Sequence, residues 1–232
     1  MDEPGRTPLE QLGARGHAEV AVTAELRHLE LHTMRGLLTV LWHGDPDLEQ
    51  VVVTCGGASG GVLGPAGGLY HELGTALVAE GTGTLRVGYR RPNHLEDCVL
   101  DVLAAVEMAI RSGARRVVTM GHSFGGAVAV QAGVAEPRIV SGVVTLATQA
   151  AGCEVADQLA PRPFLLLHGS HDQVLPAAAS ELVRMMAEHG ELVVVPGADH
   201  GFTGRGPLLL AGLLDWVGAA LAGHPAVWAP PR

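Results

Sequence analysis

Between Val51 and Leu221 the chain alternates short β-branched apolar runs with longer stretches whose apolar positions recur at helical spacing. The runs Val51 to Cys55, Thr84 to Tyr89, Arg116 to Met120, Val140 to Leu146, Phe164 to His168 and Leu192 to Val195 read as buried strands. Helices are predicted near 69–80, 95–112, after Gly125, over 176–189 and near 208–221. Upstream, residues 17–32 alternate as an edge strand, with 37–42 as its hairpin partner across Met34-Arg35-Gly36. Strands and helices in strict alternation predict an α/β fold, a mostly parallel central sheet with helices on both faces. Residues 1–16, rich in Gly, Pro and charge, predict a flexible tail. The prolines of 225–232 predict another, leaving a single domain over 17–224.

Composition narrows the partners. A formal net charge of −9 argues against nucleic acid and anionic membranes, and 3% aromatics leaves little to stack on single-stranded bases. No apolar run nears the roughly 18 residues that span a bilayer. The opening Met1-Asp2-Glu3-Pro4 lacks a basic-then-apolar signal pattern, and three scattered cysteines suit reduced thiols, so a cytoplasmic location is expected. Neither the cysteines nor the 12 histidines show metal-ligand spacing, so no metal is expected. The glycine run 56–61 lacks the Gly-x-Gly-x-x-Gly or Gly-Lys-Ser/Thr spacing of a phosphate cradle.

The candidate chemistry lies in Gly121-His122-Ser123-Phe124-Gly125, set between the strand at Arg116 and a run of small, helix-compatible residues. In that context Gly-x-Ser-x-Gly is a strand-turn-helix elbow that exposes a serine hydroxyl. The plainer alternative is a small residue filling a tight turn. A serine needs an imidazole to take its proton and a carboxylate to orient the imidazole, and this turn expects the chain order Ser, Asp, His. Asp172 follows the strand ending at His168, and His200 follows the strand ending at Val195. Asp172 could instead cap the helix predicted from Pro176. Asp199 and His171 are the rivals for acid and base. The other histidines, His122 among them, are expected to pack or face solvent.

With these residues in place, the chain resembles an α/β-hydrolase, close to the small lidless esterases grouped with the dienelactone hydrolases. The resemblance rests on Gly121 to Gly126, on His168-Gly169-Ser170-His171-Asp172-Gln173-Val174-Leu175-Pro176 and on Gly197-Ala198-Asp199-His200-Gly201-Phe202. It spans roughly residues 35–222. Dienelactone hydrolases proper use a cysteine nucleophile, and serine here points to a serine esterase on the same scaffold. Acyl transfer also needs two amides for the oxyanion, one from the residue after the nucleophile, Phe124. Related enzymes often carry His-Gly-x where this chain has Cys55-Gly56-Gly57, which implies Gly57 as the second donor.

The implied activity is hydrolysis of small soluble carboxylic esters by Ser123, His200 and Asp172, with no cofactor. A thioesterase or amidase would use the same residues. A non-catalytic binding protein that kept the fold is the alternative from another class. Residues 147–163, where many relatives insert a lid, hold room for a loop and one short helix.

Overall fold

The computed structural model describes residues 5–229 and contains one nine-stranded sheet in the order β1-β2-β3-β5-β4-β6-β7-β8-β9. The strands are β1 (Ala14–Ala21), β2 (Leu26–Thr33), β3 (Gly36–His43), β4 (Gln50–Cys55), β5 (Thr82–Gly88), β6 (Arg116–His122), β7 (Val140–Leu146), β8 (Phe164–Gly169) and β9 (Glu191–Val195). The first three form an antiparallel meander that joins β5 antiparallel, and β4 to β9 run parallel. The helices are α1 (Pro8–Leu12), α2 (Leu69–Val78), α3 (Leu95–Arg111), α4 (Phe124–Ala135), α5 (Ala178–Ala187) and α6 (Gly206–Ala222).

Side-chain alternation along each central strand explains the two layers. Val51, Val53 and Cys55 of β4 enter one core with α1, α3, α4 and α5, while Val52 enters the other with α2 and α6. Both faces are covered, so β8 reads as an unbroken apolar run and is buried throughout. Helix α4 is built of small residues and lies almost wholly buried against β6 and β7.

Two sequence expectations need correction at the N-terminal side. Residues 17–32 are not one strand: β1 ends at Ala21, and a turn closed by Val22 and Thr23 amides on the Leu26 carbonyl starts β2. The turn carries no Gly or Pro, so nothing in the local pattern interrupts the alternation. The expected loose tail over 1–16 is also ordered from Thr7 onward. Thr7 and Glu10 form a capping box, and the Leu9 amide donates to Glu107 Oε2 of α3 at 2.8 Å. Leu9 and Leu12 are buried on the core. A five-residue helix shows no period, and its anchor is a residue 98 positions away. The part of that expectation covering residues 1–4 lies outside the described residues.

The C-terminal tail is corrected in the same sense. Residues 225–229 have no regular secondary structure, yet the Trp228 side chain is buried. A methyl group on Gly212 of α6 would overlap its indole, and the Trp228 amide donates to Glu191 Oε2 at 2.8 Å. Burying a side chain of this size is worth about 2–3 kcal/mol, enough to pin a proline-rich segment. Residues 230–232 of the expected tail lie outside the described residues. The connection 147–163 holds one 3-10 turn at Ala156–Leu159 and no inserted domain. Among the described residues no helix is long and apolar enough to cross a membrane.

Candidate active site

Ser123 stands between the last residue of β6 and the first of α4, with φ 56° and ψ −120°. That left-handed conformation costs a non-glycine residue about 1–3 kcal/mol, so the surroundings must impose it. They do so by contact. A methyl group on Gly121 would overlap the Gly125 carbonyl, and one on Gly125 would overlap the Gly56 carbonyl. The Ser123 amide is tied to the Leu146 carbonyl of β7 at 2.8 Å. Gly121→Ala is therefore expected to lower stability by about 3 kcal/mol, because backbone, not a movable side chain, must yield. Denaturant unfolding reads this directly, and a wild-type midpoint would mean the elbow is softer than its packing implies.

The ends of β8 and β9 bring two further side chains to this turn. His200 Nε2 lies 3.0 Å from Ser123 Oγ, and His200 Nδ1 lies 2.7 Å from Asp172 Oδ2. The side chain of Asp172 is fully buried, whereas that of His200 keeps 18% of its exposure. Asp172 Oδ1 accepts the amides of Val174 and Leu175 at 2.8 and 2.9 Å. Burial alone would raise the Asp172 carboxyl. The Leu175 amide, the His200 ring and the Val174 amide outweigh it and hold the group below the usual carboxylate range.

The rivals lie elsewhere. Asp199 turns to the Thr203 amide at 2.8 Å, which holds its carboxyl below the usual range, and His171 is exposed.

Several neighbours were not legible as site residues. His122 Nε2 donates to the His200 carbonyl at 2.9 Å, and burial lowers the ring to about 4 against the raising effect of that bond. It therefore stays a single donor that holds the backbone of His200. His168 is completely buried, with Nε2 3.1 Å from Asp172 Oδ2, the oxygen that His200 also approaches. Both tyrosines of the chain serve the glycine loop: Tyr70 donates to the Cys55 carbonyl at 3.1 Å and Tyr89 to the Gly56 carbonyl at 3.0 Å. Cys55 packs its thiol on the Gly125 carbonyl at 3.4 Å, and burial pushes that thiol up to about 12.

Gly57 lies against Ser123, since a methyl group built on it would sit 3.6 Å from Ser123 Cβ. It forms an isolated bridge with Gly60, whose amide donates to the Gly57 carbonyl at 2.9 Å. Phe124 opens α4, so its amide is among those a helix leaves without an internal acceptor. Its ring stands edge-on to Tyr89 at 6.3 Å. A cleft of about 370 Å³ opens beside these groups, lined by the 56–64 loop and His122. The arrangement offers a hydroxyl beside a proton acceptor, a buried charge behind that acceptor, and a helix N-terminus facing the same space.

Comparison with known proteins agrees with this architecture. A model of the dienelactone hydrolase family matches residues 85–212, more than half of the chain. No curated protein matches the sequence. Among solved structures, Est1E from Butyrivibrio proteoclasticus superposes with a TM-score of 0.73 at 18% identity, covering 84% of this chain and 99% of its own. Dienelactone hydrolase from Anabaena variabilis gives 0.64 at 17% identity, covering 86% and 98%. An alpha-beta serine hydrolase homologue from Coxiella burnetii gives 0.64 at 22% identity, covering 83% and 96%. At these identities the structural likeness speaks for the fold.

Proposed function

The chain belongs to the dienelactone hydrolase family, and we propose that it is a serine hydrolase cleaving small carboxylic esters through an acyl-enzyme. One observation carries the reading: the continuous path from Ser123 Oγ through both nitrogens of His200 to the buried carboxylate of Asp172. Ser123 Oγ attacks the ester carbonyl as His200 Nε2 takes its proton. Asp172, accepting from Nδ1, holds the ring in the tautomer that leaves Nε2 bare and then faces the imidazolium. The amides of Phe124 and Gly57 receive the oxyanion, each such donor contributing about 3–4 kcal/mol. His200 returns the proton to the departing alkoxide. Water, deprotonated by the same ring, attacks the acyl carbonyl and frees the serine. No step calls for a cofactor.

The short connection over 147–163 leaves His200 partly open to solvent, which suits small soluble substrates and gives no lid to open at a lipid surface. A cytoplasmic setting belongs to the same reading, supported by three unpaired and buried thiols.

Fluorophosphonate labelling tests the chemistry. The expected result is a single adduct on Ser123, located by peptide mass. Absence of an adduct on folded protein would overturn the reading in favour of a binding protein on the same fold. A panel of p-nitrophenyl esters of rising chain length, run beside acyl-CoA thioesters, then orders the substrates. A feruloyl ester belongs in that panel, because Est1E has been determined with ferulic acid bound.

A further inference from the structure

Asp172 has a second imidazole on it. His168 closes β8, is completely buried, and places Nε2 3.1 Å from Asp172 Oδ2 and 3.0 Å from the Leu175 carbonyl. Its other nitrogen, Nδ1, lies 2.7 Å from the hydroxyl of Ser180, a fully buried residue of α5. We propose that His168, with its tautomer set by Ser180, is a positioning residue that holds the Asp172 carboxylate in the one orientation that faces His200. The proposal rests on the reading of Asp172 as the orienting acid and adds a role that the reaction scheme does not require.

His168 supplies anchorage. Asp172 Oδ1 accepts the amides of Val174 and Leu175, and Oδ2 accepts His200 Nδ1–H. Rotation about the last side-chain bond would break all three. The amides belong to the loop that carries the carboxylate, and His200 sits on a partly exposed loop of its own. His168 Nε2–H donates to the Leu175 carbonyl at 3.0 Å, and the same nitrogen lies 3.1 Å from Oδ2. His168 is therefore the side chain that ties this loop, and with it the carboxylate, to the sheet.

The direction of each bond follows from the partners. Nε2 meets the Leu175 carbonyl, which can only accept, so it must carry hydrogen. With the ring proton on Nε2, Nδ1 has only a lone pair to offer, so the Ser180 hydroxyl donates to it. That bond keeps the ring proton on Nε2. With the other tautomer, a lone pair would face Asp172 and Leu175, and the bond would become a repulsion. A side chain whose only duty was to fill the space under α5 would need none of these atoms.

The test removes hydrogen bonds at constant volume. His168→Leu is expected to lower kcat by about 10- to 100-fold with KM changed by less than about two-fold, because a misdirected acid costs the transition state and not substrate binding. His168→Gln should rescue most of the loss, since its amide nitrogen reaches the Nε2 position with a hydrogen for the Leu175 carbonyl. His168→Asn, which cannot reach, should not. The second readout is the far-downfield proton resonance of His200 Nδ1–H, expected to be sharp in wild type and in His168→Gln and broadened by exchange in His168→Leu. That resonance tests the contact even if Ser123 is never labelled, so failure of the proposed function and failure of this inference are separable. Should His168→Leu not fold, Ser180→Ala takes its place with the same signs and a smaller loss. Folded His168→Leu or Ser180→Ala with wild-type kcat and a wild-type resonance would overturn the proposal.

Discussion

Ser123→Ala is expected to cut kcat on a p-nitrophenyl ester by about a million-fold, with the folded protein unchanged in circular dichroism. The loss is of this order because no other group can take over the attack. Cys55, which ends β4 just before the glycine loop, has its thiol buried on the Gly125 carbonyl and raised to about 12, so it carries almost no thiolate. The serine of the next motif, Ser170, is engaged with the Gly197 amide at 2.8 Å. Alanine keeps the strained φ of 56°, so the substitution neither relieves the turn nor disturbs its packing. Residual turnover within ten-fold of wild type would require a different nucleophile and would end the present scheme.

Asp172→Asn should cost kcat about 10⁴-fold. The three donors around the carboxylate make the reason concrete. An amide offers one acceptor oxygen and one NH₂ group. Either the Val174 and Leu175 amides or His200 Nδ1 would then face hydrogen instead of a lone pair. If the loop keeps its bonds, the NH₂ faces His200 Nδ1 and forces the tautomer that protonates Nε2, which can no longer accept from Ser123. Stability changes as well, with a definite sign. A carboxyl held below its unfolded value of about 3.9 adds stability at neutral pH, and that stability is lost as the pH falls through the folded value. The stability gap between wild type and Asp172→Asn should therefore be widest near neutrality and close on acidification. Equal kcat in the two proteins, or a larger loss in Asp199→Asn, would reassign the acid.

The parts of the molecule that could be read from the chain are those whose cause is local. A β-branched run, two glycines around a serine and a run of small residues mark the elbow, because the exclusion of Gly121 against Gly125 acts within five residues, although Gly125 also meets the distant Gly56 carbonyl. Asp172 and His200 could be placed because each follows an apolar strand, and parallel strands deliver their C-terminal loops to one edge. His168 could not. In the sequence it is one more residue of an apolar strand, and its duty depends on Ser180 across the loop. Tyr70 and Tyr89 escaped for the same reason, since a hydroxyl reaching back to a strand-end carbonyl leaves no periodic mark. Helix α1 and the Trp228 segment are held by Glu107 and Glu191, partners distant in the chain, and composition alone suggested slack.

Ser123 is located by walls. Gly121 and Gly125 fit because nothing else would, and steric exclusion of this sort has neither a charge to titrate nor an ion atmosphere to strip. Ionic strength and acidity therefore act on the carboxylate and the imidazole while the hydroxyl keeps its place. On warming, the elbow has no looser arrangement to visit before the β4–β6–α4 packing itself gives way.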